Sequence, residues 1–338
     1  MSSGGDSGVA TASTPLPESI RQARIYVAGH RGLVGSSVLR ALGNAGCEGL
    51  VTRDHAALEL TERAAVEEFF ANQRPELVIL CAAKVGGIGA NNDFPAEFIH
   101  VNLAIQSNVI HAAWRAGVPR LLFLGSSCIY PRDCPQPIRE EYLLTGPLEA
   151  TNRPYAIAKI AGVEMCWSYN RQYGTRYLTL MPTNLYGPGD NYDLETSHVL
   201  PALIRKCHEA KVAGAKQVQA WGSGTPCREL LYSDDLADAV VFLLGLEEGQ
   251  LDMLFTDEKP PLINIGSGED QSIAELMDVV KKVVGFEGEV IWDRSRADGT
   301  PRKLLDVSAM HALGWRHKTH LEEGIRLAYE DFLANWRD

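Results

Sequence analysis

Short, almost uninterrupted apolar runs at 25–28, 50–52, 77–81, 121–124 and 177–181 alternate with amphipathic segments at 33–45, 61–73 and 155–173, and with a long helical stretch ending near Gly117. A strand that is apolar on both faces must be covered on both, and the connections are too long for hairpins. The pattern therefore constrains the chain to a parallel sheet wound with helices. The predicted fold class is α/β, a doubly wound parallel sheet (Rossmann) with a smaller, discontinuous C-terminal lobe. After Tyr186 the composition shifts toward glycine, proline and polar residues, while helical patterns persist at 199–210, 234–246, 273–284 and 321–336. At 338 residues the chain is above the usual single-core size. The predicted boundaries are a disordered tail over 1–21, the sheet domain over 22–186, and a lobe over 187–338, with about 230–266 returning to the sheet domain.

A formal net charge of −11 excludes a protein built to grip a nucleic-acid backbone, which needs clustered Lys and Arg. Any anionic ligand requires a local basic pocket. The seven cysteines include no C-x-x-C pair, which suits neither a disulfide framework nor a zinc site, so no metal is expected and a reducing compartment is. The first 20 or so residues are rich in Ser, Gly, Ala and Thr, lack a basic start and an apolar core, and read as a tail and not a leader. No run approaches the roughly 18 apolar residues of a membrane span. The expected location is the cytoplasm.

Gly29-His30-Arg31-Gly32-Leu33-Val34-Gly35 follows the first predicted strand and opens a helix. In that context glycines let the backbone approach a pyrophosphate, whose charge sits among the free amides of the helix start. The second strand ends in Val51-Thr52-Arg53-Asp54-His55. Arg31 and Arg53, with His55 beside them, favour the 2′-phosphate of NADP(H), while Asp54 speaks for the ribose hydroxyl of NAD.

Tyr155-Ala156-Ile157-Ala158-Lys159 puts a phenol and an ammonium four apart on one helix face. A lysine beside a phenol stabilises the phenolate and is expected to lower its pKa, making Tyr155 a general acid/base. The strand at 121–124 runs into Gly125-Ser126-Ser127, the carboxyl end where ligands of wound sheets bind, and supplies Ser126 to a substrate oxygen.

With these parts in order, the chain resembles the extended short-chain dehydrogenase/reductases and, within them, the GDP-L-fucose synthase family. The matching strings are residues 29–35, Ala82-Ala83-Lys84-Val85-Gly86-Gly87-Ile88, 122–131, 154–162, 181–188, 221–226 and 299–306. The likeness runs from about residue 22 to the C-terminus. It implies a bifunctional enzyme that inverts carbons 3 and 5 of GDP-4-keto-6-deoxy-D-mannose by proton exchange and reduces the 4-keto group with NADPH, as a homodimer. It implies Cys128 and His198 as the proton carriers of the inversion, in addition to Ser126, Tyr155 and Lys159. A thiol near pKa 8.5 and an imidazole near 6.5 are suited to exchange around neutrality. Cofactor contacts are implied at residues 29–35 (Gly29, His30, Arg31, Gly32, Leu33, Val34, Gly35), at Arg53 and His55, at Ala82, Leu124, Gly125 and Ser127, and at Lys159, Pro182, Asn184, Leu185 and His198. For the nucleotide diphosphate the resemblance implies Lys206, Arg228 and Lys303, with Trp221 on the nucleotide and Asp298 on a hydroxyl. Lys84 is left open between cofactor and substrate.

Two other readings are an NAD-dependent nucleotide-sugar 4-epimerase or 4,6-dehydratase, and a non-catalytic NADP-binding sensor. A dehydratase would carry an acid in the pair after the catalytic hydroxyl, where this chain has Ser127-Cys128. An intact Ser126, Tyr155 and Lys159 argues against the silent sensor.

Overall fold

The computed structural model of the protein describes residues 15–295 and 298–336. A short helix, α1 (Glu18–Gln22), leads into β1 (Arg24–Ala28), α2 (Leu33–Asn44), β2 (Gly49–Val51), α3 (Arg63–Gln73) and β3 (Leu77–Leu80). Then come α4 (Ile88–Asp93), α5 (Pro95–Arg115), β4 (Arg120–Leu124), α6 (Arg153–Tyr173) and β5 (Arg176–Pro182). The second half holds β6 (Asn184–Tyr186), α7 (Val199–Val212), β7 (Gln217–Trp221), β8 (Cys227–Tyr232), α8 (Ser233–Leu244), α9 (Glu248–Asp252) and β9 (Leu262–Ile265). It closes with β10 (Asp270–Ser272), α10 (Ile273–Val284), β11 (Glu289–Asp293), β12 (Arg302–Lys303), α11 (Ser308–Leu313) and α12 (Leu321–Asn335).

Six parallel strands form one sheet in the order β2-β1-β3-β4-β5-β9. Ile25, Val27, Leu77 and Ile79 enter the cluster under α2 and α8, whereas their neighbours Tyr26, Ala28, Val78 and Leu80 enter the one under α3, α5 and α6. That two-residue alternation between two apolar layers is why the strands read as continuous apolar runs. The order reverses between β1 and β3, and a crevice opens beyond the carboxyl ends of strands at such a reversal. α8 packs on α2, and β9 extends the sheet beside β5, so the chain returns to this domain after β8.

The lobe is built around β8, which pairs with β6 and β12 in parallel and with β10 antiparallel; β7 and β11 form a separate parallel pair. α7, α10 and α12 bury Leu203, Ile204, Leu276, Val280, Ile325 and Phe332 in its core. The expected disordered tail extends too far: Leu16 is only 4% exposed within the sheet-domain core, and Glu18–Gln22 is helical. Residues 1–14 of that tail lie outside the described residues. Among the described residues no helix is long and apolar enough to cross a membrane.

Candidate active site

At the end of β1, Gly29 turns the chain with φ +85°. A Cβ there would come within 2.7 Å of the Ala82 amide nitrogen, and one on Gly35 would collide with the Gly29 carbonyl. The loop is thus pressed against the end of β3 on one side and the first turn of α2 on the other. With Gly32 as N-cap, the amides of Leu33, Val34 and Gly35 have no carbonyl a turn behind them. They form an anion cradle, and His30 Nδ1 lies buried beside it without a partner among the described residues. These features fit a dinucleotide pyrophosphate.

The cations expected at the 2′-phosphate gather at the end of β2, each with an internal partner. Arg31 pairs with Asp54 at 3.0 Å and keeps a side chain 74% exposed. Arg53 donates to the Thr52 carbonyl at 2.7 Å and lies over the Phe69 ring. His55 pairs with Glu59 at 2.8 Å. Asp54, the residue that spoke for NAD, therefore serves Arg31. The other expected cofactor positions follow the sheet edge: Ala82 just past β3, Leu124 and Gly125 at the end of β4, Pro182 at the end of β5, and Asn184 and Leu185 in β6. Ser127 is buried, and Asn184 Nδ2 donates to the Glu229 carbonyl at 3.0 Å.

Beyond β4, Ser126 caps a single 3-10 turn, its Oγ accepting the Cys128 amide at 3.3 Å. Tyr155 and Lys159 arrive on α6, and Ser126 is near enough to the Tyr155 phenol to draw its pKa down. Lys159 Nζ, however, reaches the Leu124 carbonyl at 2.7 Å and stands 5.9 Å from the Tyr155 ring centre. Burial brings the lysine down to about 8, partly opposed by Cys81. Burial, with a contribution from Cys128, pushes the Tyr155 phenol well above its ordinary value, against the smaller effect of Ser126. The expectation that Lys159 lowers the phenol is corrected: desolvation outweighs the lysine, whose ammonium is turned to a carbonyl. The phenol therefore keeps its proton around neutral pH.

Cys128 Sγ accepts from two nitrogens, Asn152 Nδ2 and Lys303 Nζ, each at 3.4 Å. Lys303 comes from β12, 175 positions away. His198 caps α7 and is exposed toward solvent, yet crowding by the protein and the Lys303 charge hold its imidazole below the usual value. Lys303, which the resemblance gave to the diphosphate, is thus the shared neighbour of Cys128 and His198. Ser127, Cys128, Asn152, Thr300, Arg302 and Lys303 help to line a small cleft open to solvent.

The other expected substrate positions, Lys206, Trp221, Arg228 and Asp298, are not among the residues that line this cleft. Lys206 Nζ stands 4.8 Å over the ring of Trp221, at the end of β7. Arg228 lies beside Lys303 in the β8/β12 register, donates to the Cys227 and Thr300 carbonyls at 2.7 and 2.6 Å, and is lowered by burial. Asp298 accepts the Ser223 amide and hydroxyl at 2.9 and 2.7 Å, bonds that hold its carboxyl below the usual range. Lys84 pairs with Glu97 and faces the Phe98 ring, which meets Tyr155 edge-on. Asn152, absent from the sequence reading, gave no signal there because asparagine before a helix reads as a cap.

A profile of the NAD dependent epimerase/dehydratase family matches residues 25–261. GDP-L-fucose synthase 1 of Arabidopsis thaliana is 55% identical over 319 residues, 93% of this chain and 94% of the relative. GDP-L-fucose synthase of Escherichia coli (strain K12) is 52% identical over 314 residues, 92% and 97% of the two chains. The crystal structure of a GDP-D-glycero-L-gluco-heptose synthase from Campylobacter jejuni, solved in the presence of NADPH, superposes with a TM-score of 0.84 at 37% identity, covering 93% of this chain and 99% of that one.

Proposed function

The chain belongs to the GDP-L-fucose synthase family within the NAD dependent epimerase/dehydratases, and from that premise we infer how its cleft converts GDP-4-keto-6-deoxy-D-mannose to GDP-L-fucose. The cofactor is NADP(H), which when bound supplies hydride to carbon 4 of the sugar. The glycine cradle holds its pyrophosphate, and Arg31, Arg53 and His55 meet its 2′-phosphate. The single observation that carries a bifunctional reading is the Cys128 thiol, held by Lys303 within the turn of the Ser126/Tyr155 pair. A plain reductase has no use for a second proton carrier there.

Inversion requires that protons beside the ketone leave and return on opposite faces. Ser126 and the Tyr155 hydroxyl donate to the ketone oxygen, stabilising the enolate that forms when a neighbouring proton is removed. Cys128 removes protons on one face, and His198, with its depressed pKa, relays them on the other. In the reduction, Tyr155 gives its proton to the developing alkoxide at carbon 4, and Lys159, with the Leu124 carbonyl as its partner, supplies positive charge behind the phenol. Lys206, Arg228 and Trp221 hold the nucleotide diphosphate, and Asp298 receives a hydroxyl. Lys303 stands at the junction, its Nζ donating to the Cys128 sulfur at 3.4 Å. A homodimer is proposed from the family.

Incubation with NADPH and GDP-4-keto-6-deoxy-D-mannose in deuterium oxide tests the reading. Oxidation of the cofactor should accompany deuterium at carbons 3 and 5 of a GDP-L-fucose product. A product reduced at carbon 4 but retaining the manno configuration at both carbons would overturn the epimerase half.

A further inference from the structure

Asn152 occupies the N-cap of α6, where an asparagine side chain ordinarily accepts a bond from an amide two or three residues on. It makes no such bond. Its Nδ2 donates to Cys128 Sγ at 3.4 Å instead, and its Oδ1 is buried without a partner among the described residues. The turn is fixed by other means. Glu149 Oε2 accepts the amides of Thr151 and Asn152 at 3.0 and 3.1 Å and the Thr151 hydroxyl at 2.5 Å. Pro154 enters the first turn with no amide to satisfy. The side-chain amide is thus delivered to the thiol while the helix end goes uncapped.

We propose that Asn152 is a positioning residue for Cys128 whose amide serves both protonation states of the thiol. A thiolate is an acceptor, and Nδ2 and the Lys303 ammonium are two donors aimed at it. A thiol carries a proton and needs an acceptor, which lysine lacks, having three donors and no lone pair. The amide has both ends, and a half-turn about its last bond brings Oδ1 to the point that Nδ2 holds. A group that loses and regains a proton within one turnover is thereby given one partner for its charge and a second that follows its proton. The proposal rests on Cys128 exchanging protons with carbons 3 and 5.

The test compares Asn152→Ala and Asn152→Asp with the parent by two measurements. One is the pH profile of Cys128 alkylation by iodoacetamide, located by peptide mass. The other is solvent-deuterium wash-in at carbons 3 and 5. Losing the donor to the anion is expected to raise the alkylation midpoint by about one pH unit and to slow wash-in about tenfold in Asn152→Ala. Asn152→Asp, which keeps the parent's shape and sets an anion at the sulfur, should raise the midpoint further; it also keeps the test valid if the alanine variant misfolds. An alkylation profile that moves in neither variant overturns the proposal, whether or not wash-in slows. A shifted profile with unchanged wash-in upholds the coupling of Asn152 to Cys128 and overturns the reading of Cys128 as proton carrier.

Discussion

Removing one oxygen atom from Tyr155 separates its chemistry from its packing. In Tyr155→Phe the ring is kept, 9% exposed and edge-on to Phe98 with centroids 6.3 Å apart. What is lost is the hydroxyl and at most one hydrogen bond with it, while Ser126 Oγ still accepts the Cys128 amide at 3.3 Å. A hydrogen bond between neutral groups contributes about 0.5–1.5 kcal/mol net, so the variant should fold and its melting temperature should move by no more than a few degrees. The rate is another matter. A proton donor at a developing alkoxide is worth about 10²–10⁴-fold, or about 2.7–5.4 kcal/mol of barrier at 1.36 kcal/mol per decade. The two ranges do not overlap, so packing damage cannot imitate loss of the acid. Single-turnover oxidation of bound NADPH should fall at least 100-fold on this estimate, while NADPH binding stays within a few-fold. A folded variant that reduces the keto-sugar at more than a tenth of the parental rate would refute the assignment and leave Ser126 or water as the donor.

NADPH should bind more tightly than NADH, and Arg31→Ala should narrow the gap; equal titration of the two cofactors by the parent would remove the 2′-phosphate pocket. Lys159 has a folded pKa of about 8 against an ordinary 10.5, so its burial cost is complete below about pH 8 and fades toward 10.5. Relative to Lys159→Met, the parent's melting temperature should therefore rise with pH across that window, and a flat difference would contradict it. Cys128→Ser should slow deuterium wash-in at carbons 3 and 5 by about 10²-fold while slow reduction without full inversion persists. Wash-in at the parental rate, followed by NMR, would return Cys128 to an inert role.

Five of the six strands of the sheet were legible as apolar runs, and the helices between them carry one apolar face; β9, whose Leu262–Ile265 run is broken by the buried Asn264, was not. The two- and three-residue strands β6, β10 and β12 were not, since so short a pairing leaves no period. Leu16 was hidden by the small polar residues before it, which made a helix and its buried leucine read as the end of a tail. At the site, positions were legible and partners were not. Helical spacing placed Tyr155 and Lys159 on one face but could not say that the ammonium would turn to Leu124. Residue type placed Arg31 and Asp54 at the cofactor edge without revealing that they pair. The contact of Cys128 with Lys303 joins residues 175 apart, and no local pattern encodes it.

That contact also shows how the two proposed chemistries depend on different parts of the fold. Ser126, Tyr155 and Lys159 hang from β4 and α6, neighbours within the sheet domain, so the reducing group is assembled by one core. Cys128 shares their turn, but the lysine beside it belongs to β12 and His198 to the start of α7, both in the lobe. The inverting group exists only where lobe and sheet domain are held in register. Buried polar bonds do this: Thr183 Oγ1 and Asn184 Nδ2 donate to the Glu229 carbonyl at 3.1 and 3.0 Å, and Asn264 of β9 donates to the carbonyls of Ile138 and Asp306. The Gly87 amide, from the loop after β3, holds the Thr196 carbonyl two residues before His198 at 3.0 Å. A shift of about 1 Å in catalytic positioning can cost about 100-fold in rate. Loosening of the lobe should therefore cost inversion before it costs hydride transfer, because only inversion draws its charge and one of its proton carriers from the far side of the cleft.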